Sequence, residues 1–237
     1  MTRAKGASIL SRWKRWGISL NVDPATDPCS VEQLLIDTAI ELDANARLFV
    51  LAVTWLVQHH PIVDVERLAE LGLRLRGDAS ARLGLLLDTA QKWIGDPVFD
   101  KAIGSCYPAE TPKPLFAVEA KRPSLAKLAE KTASQASRRW GLWTQSLDRM
   151  KTESIRPASW IAKHNQTYTL RWLFKGDVRS RVVTALMEEG QTDLCEADLT
   201  RMKGCTRKAM HAALSNLTDA GLIKRTRHGR RYVIGLA

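Results

Sequence analysis

A mainly α protein is what the sequence predicts: a helical bundle first, then three short helices closed by a small β-hairpin. Apolar residues recur at helical spacing over most of the chain, as at Leu34, Leu35, Thr38, Ala39 and Leu42. Two strand-like runs, Leu222–Arg227 and Arg230–Gly235, flank a His228-Gly229 turn near the end. At 237 residues, with 45% hydrophobic and 26% charged side chains, the chain is long enough for two compact units.

The expected domains are a helical bundle over 1–104, a Pro-rich linker over 105–123, a basic Trp-rich helical segment over 124–176 and a C-terminal unit over 177–237. In the basic run KGASILSRWKRW, Trp13 and Trp16 fall at i, i+3. An arm touching phosphates or a membrane surface is one reading; a helix packing both rings on the body is favoured, since burying two tryptophans is strongly stabilising. After the loop marked by Pro24 and Pro28, Ser30-Val-Glu-Gln33 resembles a capping box. Asp43 is the expected cap of a helix running to Pro61, apolar nearly all round and so central to the bundle.

With the helices that follow it, this segment imitates helix-turn-helix spacing, with Arg74, Arg76 and Arg82 near the turn. A packing or dimerisation role is favoured, because Leu83, Leu85, Leu86 and Leu87 occupy the places where base-reading side chains belong. Four prolines in 105–123 mark the linker. From Ser124 one amphipathic helix is expected through Lys151. Trp140, Trp143, Trp160 and Trp172, interleaved with arginines, suit either a stacking platform for single strands or, the favoured reading, a core.

Charge is unevenly spread within a net +11. Residues 1–16 hold five cations and no acids; residues 17–120 are net −7; residues 121–176 hold twelve cations against three acids; residues 177–237 hold eleven against seven. A polyanion surface is therefore expected outside the acidic stretch. Cys29, Cys106, Cys195 and Cys205 show no CxxC pairing and read as reduced thiols in a cytosolic protein, with no metal site. No signal peptide is apparent, and the apolar stretch Leu48–Val57 is about half of what a bilayer span needs. There is no GxxxxGK loop, Rossmann glycine pattern or HExxH, and His59-His60 reads as a helix end, so neither catalysis nor a cofactor is expected.

The C-terminal unit carries the functional reading. Val182, Val183, Leu186 and Met187 give its first helix a buried face, Thr192-Asp193-Leu194 reads as a short strand, and Glu196 to Lys203 as a brief second helix with Leu199 and Met202 inward. Gly204 permits a turn, Thr206 caps the third helix, and Gly221 ends it. Met210, Ala213, Leu214 and Leu217 face the core at i, i+3, i+4, i+7. Arg207, Lys208, His211, Ala212 and Ser215 remain on the other side, residue types that suit a major groove. Lys224, Arg225, Arg227, His228, Arg230 and Arg231 crowd the hairpin, where cations grip a phosphate backbone.

This order, and DAGLIKRTRHGRRYVIG in particular, resembles the winged helix-turn-helix superfamily over residues 177–237. The resemblance implies a hairpin wing and binding of double-stranded DNA through the third helix and wing, commonly as a dimer; some members bind RNA or only proteins. Residues 1–176 carry no such resemblance. The expected function is a bacterial-type transcriptional regulator, cytoplasmic and nucleoid-associated, whose N-terminal helices mediate homodimerisation or partner binding. The alternative is a non-catalytic DNA-binding or adaptor subunit of a larger nucleoprotein complex (defence, partition or mobile-element system). An effector pocket among the N-terminal helices is compatible with their composition but is not marked by it.

Overall fold

The computed structural model describes residues 8–27, 29–175, 178–188, 194–203, 205–229 and 231–237. It is mainly helical, with a small two-stranded antiparallel sheet at the C-terminus, and divides into two compact units, Met1–Trp160 and Ile161–Ala237.

Unit 1 contains α1 (Ile9–Arg15), α2 (Val31–Glu41), α3 (Ala46–His59), α4 (Val65–Gly72), α5 (Asp78–Ile94), α6 (Asp100–Ile103), β1 (Lys113–Pro114), α7 (Ala117–Ala120), α8 (Pro123–Thr132), α9 (Gln135–Trp140) and β2 (Leu142–Trp143). The division falls inside α10 (Ala158–His164). The tryptophans of α1 are core residues: Trp13, Trp16 and Trp55 have no exposed surface, and Trp55 meets the other two rings edge-on at 5.7 Å. Each indole N–H is satisfied. Trp13 donates to Thr38 Oγ1 at 2.8 Å, Trp55 to the Trp16 carbonyl at 2.7 Å and Trp16 to the Cys29 carbonyl at 3.3 Å. Burial of each ring contributes roughly 4–6 kcal/mol of gross hydrophobic stabilisation.

Ser30 caps α2 by accepting from the Gln33 amide at 3.0 Å, but the Gln33 side chain turns to Asp37 instead of closing the box. Asp43 does not cap α3. It lies in a 3₁₀ turn and pairs with Arg82 at 2.8 Å, while Asn45 accepts from the Leu48 amide at 3.0 Å. The two extra residues of the turn move the helix start past Asp43.

Residues 105–123 do not divide the chain. Lys113 and Pro114 pair in parallel with Leu142 and Trp143, and Leu115 and Phe116 are buried, Phe116 edge-on to Phe49. Pro112 and Pro114 disfavour a helix around β1 but are compatible with an edge strand, and the short α7 follows only after them. Nor is 124–151 one helix. It breaks at Ala133, whose backbone is extended, and Ser134 starts α9 by accepting from the Ser137 amide. Gly141 then ends α9 at φ +64, a conformation that other residues rarely adopt. The chain returns across α3 and α1: the Lys151 amide donates to Thr54 Oγ1 at 3.1 Å and the Arg156 amide to the Gly17 carbonyl at 2.7 Å.

A close approach locks α9 onto α5. Trp140 lies so near Gly84 that a Cβ there would meet its ring at 2.3 Å, and its indole donates to Asp88 at 2.9 Å. Leu83, Leu85, Leu86 and Leu87 have no exposed surface, and Arg82 donates to the Ile40 carbonyl at 2.9 Å, so this face is spent on packing.

Unit 2 contains α11 (Gln166–Leu173), α12 (Val178–Glu188), α13 (Glu196–Lys203), α14 (Arg207–Asp219), β3 (Ile223–His228) and β4 (Arg231–Leu236). Its core joins Val182, Val183 and Leu186 of α12 to Leu199, to Met210, Leu214 and Leu217 of α14, and to Ile223 and Ile234 of the hairpin. Leu194 bridges to Ile234, whose amide donates to the Leu194 carbonyl at 2.9 Å, which adds a strand-like third partner beside β4. The expected strand positions Thr192 and Asp193, the expected turn residue Gly204, and Pro28 lie outside the described residues, as does the side chain of Met202.

Candidate nucleic-acid interface

Helix α14 is set by its cap and its apolar stripe. Thr206 Oγ1 accepts from the Ala209 amide at 3.2 Å, satisfying one of the free N–H groups of the first turn. Met210, Ala213, Leu214 and Leu217 are buried as expected, and Arg207, Lys208, His211, Ala212 and Ser215 are exposed. At 3.6 residues per turn these exposed positions are not equivalent. Lys208, Ala212 and Ser215 lie opposite the core, together with Asp219. Arg207 and His211 lie on the flank toward α13.

That flank is already engaged. His211 Nδ1 is 3.3 Å from the Glu196 carboxylate, and Arg207 lines a shallow hollow of about 420 Å³ with Glu196, Ala197, Thr200 and Arg201. At the start of α13, Asp198 accepts from the Cys195 thiol at 2.9 Å and from its amide at 3.2 Å. Those bonds, then the nearby Arg201 and Arg231 charges, hold the Asp198 carboxyl below the usual carboxylate range. Asp219 and Asn216, both exposed on α14, are not among the residues the sequence singles out; helical phasing alone places Asp219 on the outward stripe.

The hairpin sorts its cations by the two-residue period of a strand. Ile223 pairs with Leu236, Arg225 with Ile234 and Arg227 with Tyr232, so these share the face that continues from the core. Lys224, Thr226, His228 and Arg231 take the other face. The expected single cluster is therefore two. Arg225 is half-buried, with Nε and Nη2 shielded and without an acceptor, whereas Arg227 Nε donates to the Gly229 carbonyl at 3.2 Å. Pairing ends at His228 and Arg231, so His228, expected in the turn, is the last paired residue of β3. Arg230 itself lies outside the described residues. Tyr232, another residue that the sequence does not single out, is 57% exposed beside Arg227.

The tryptophans of 124–176 form no common platform within either unit. Trp140 is buried in unit 1, Arg156 stacks on Trp160 at 5.7 Å, and Trp172 of unit 2 is partly exposed under Lys175. The four cysteines are free, and burial pushes the Cys106 thiol up to about 11. Among the described residues no helix is long and apolar enough to cross a membrane, and no group of three or more His, Cys, Asp or Glu is placed to hold a metal.

Compared with known proteins, the chain matches no family model, no curated protein and no solved structure.

Proposed function

We propose that the chain is a double-stranded-DNA-binding protein whose unit 2 is a winged helix-turn-helix, acting as a transcriptional regulator of the bacterial type. The observation that carries the reading is the outer face of α14, where Lys208, Ala212 and Ser215 stand exposed beside a hairpin bearing cations on both faces. In this reading α12, α13 and α14 are the three helices, β3–β4 is the wing, and Leu194 supplies the small third strand.

Lys208 and Ser215 then donate to base edges, and Ala212 meets a thymine methyl. Arg207 and His211, turned toward α13, contact the flanking backbone. Lys224 and Arg231 neutralise phosphates, and His228 lies beside them within reach of the backbone, which supplies affinity without sequence choice. In this reading unit 1 serves in dimerisation or partner binding.

The test is selection of binding sites from random duplexes by the full chain at two salt concentrations. A discrete, two-fold symmetric site is expected. Lys208→Ala should relax the preference at one base position in each half-site while leaving binding to scrambled DNA intact. Salt-sensitive binding with no selected site overturns the regulator and leaves an architectural subunit; no binding at all overturns both.

A further inference from the structure

We infer that unit 1 holds a binding site for a small organic anion with a flat apolar body. A cavity of about 340 Å³ lies between the C-terminal half of α5 and the segment 134–147 that follows α8. Phe49 forms part of its apolar lining with Trp93 and Leu147, while Thr89, Thr144 and Gln145 supply hydroxyl and amide groups. A volume of that size with apolar walls and a few polar groups suits a ligand of one or two rings.

The anionic character follows from the charges at the cavity. A second hollow, of about 580 Å³, adjoins the first and shares Lys92 and Ala136 with it. Its one carboxylate, Asp88, is balanced by Arg139: Oδ2 lies 3.3 Å from that guanidinium and also accepts from the Trp140 indole at 2.9 Å. Lys92 lines both spaces and has no carboxylate partner among the described residues. A carboxylate, sulfonate or phosphate placed there completes a charge-assisted hydrogen bond. Trp93 is 42% exposed at the same wall, a large apolar ring left for a ligand to cover.

The walls are held before any ligand arrives. Ser137 Oγ and the Ser134 amide both donate to the Thr144 carbonyl, at 2.9 and 3.1 Å, tying the loop to α9. Trp140, wedged on Gly84, ties α9 to α5. A preformed site of this kind binds without a large ordering cost. The site is confined to unit 1 and stands whether or not unit 2 binds DNA.

Fluorescence titration of the full chain with two dyes tests this: 1-anilinonaphthalene-8-sulfonate, which carries the anion, and uncharged N-phenyl-1-naphthylamine. Saturable binding of one dye molecule per chain is expected for both. Lys92→Gln should weaken the sulfonate by about tenfold, the scale of one charge-assisted bond, and leave the neutral dye within twofold. Ser146→Trp, at an exposed loop position on the cavity wall, should weaken both dyes while thermal unfolding is unchanged. Non-saturable binding, equal sulfonate affinity in Lys92→Gln, or Ser146→Trp binding both dyes as the parent does, overturns the site.

Discussion

In unit 1, three arginines are joined to carboxylates: Arg82 to Asp43, Arg12 to Asp37 and Arg139 to Asp88; Arg82 also donates to the Ile40 carbonyl. In unit 2, Arg207, Lys208 and Lys224 have no carboxylate partner among the described residues and stand exposed on α14 and the hairpin. Cations already held by carboxylates offer little to a second anion, while unpaired, solvated ones release counterions when a phosphate arrives. What distinguishes these two sets of cations is thus not their charge but whether a carboxylate already holds it.

The two units should therefore respond to different perturbations. The largest effect is expected at His59, which burial against Trp55 and the neighbouring His60 push down to about 4. Its unfolded value is near 6.5, so the unfolded chain binds a proton first as pH falls. Stability is fully retained above about pH 6.5 and should decline by up to about 3 kcal/mol by pH 4. Denaturant unfolding across that range, in the parent and in His59→Phe, checks it. A pH-independent parent contradicts the burial. Unit 2 has no buried histidine among its described residues and should not share the decline.

Next comes Gly84→Ala. Alanine favours a helix, yet here its Cβ meets the Trp140 ring, so a net loss of about 2 kcal/mol from unit 1 is expected by thermal unfolding. A neutral result would mean α9 is not locked to α5. On α14, Lys208→Ala should cost about 1–2 kcal/mol of discrimination at its contacted base pair, measured by competition between single-base variants of the selected site. Equal losses on matched and mismatched sites would move Lys208 from base reading to backbone contact. The smallest effect is Thr206→Ala, which removes the α14 cap and should lower stability by about 1 kcal/mol, confined to unit 2.

Much of unit 2 was legible because its signals are local. The Thr206 cap, the four apolar positions of α14 and the hairpin around Gly229 each depend on residues a few positions apart. Leu194, at the end of an expected short strand, does bridge to β4. His228 was expected in the turn because His228 and Gly229 both suit one, and only the register with Arg231 places His228 in β3. The contact of His211 with Glu196 depended on the fold, which alone joins two residues fifteen positions apart.

Unit 1 was harder to read because its decisive contacts are distant in sequence. Nothing in the spacing of 105–123 says that Lys113 and Pro114 will pair with Leu142 and Trp143. The helix expected to run to Lys151 kept its apolar period past Ala133, and the Ser134 cap and Gly141 were outweighed by that period. The cavity beside Lys92 is assembled from three separate stretches, which is why composition did not mark it.

The division between committed and uncommitted cations is tested by measuring how DNA affinity depends on salt for two double variants of the full chain. Lys224→Gln with Arg231→Gln removes cations from the outer face of the hairpin and should flatten the log–log salt slope by about 1.8, roughly 0.9 for each phosphate no longer neutralised. Arg12→Gln with Arg82→Gln removes carboxylate-bound cations of unit 1 and should leave that slope unchanged, even as it lowers stability. An unchanged slope in the hairpin variant, or an equal flattening in the unit 1 variant, would contradict that division.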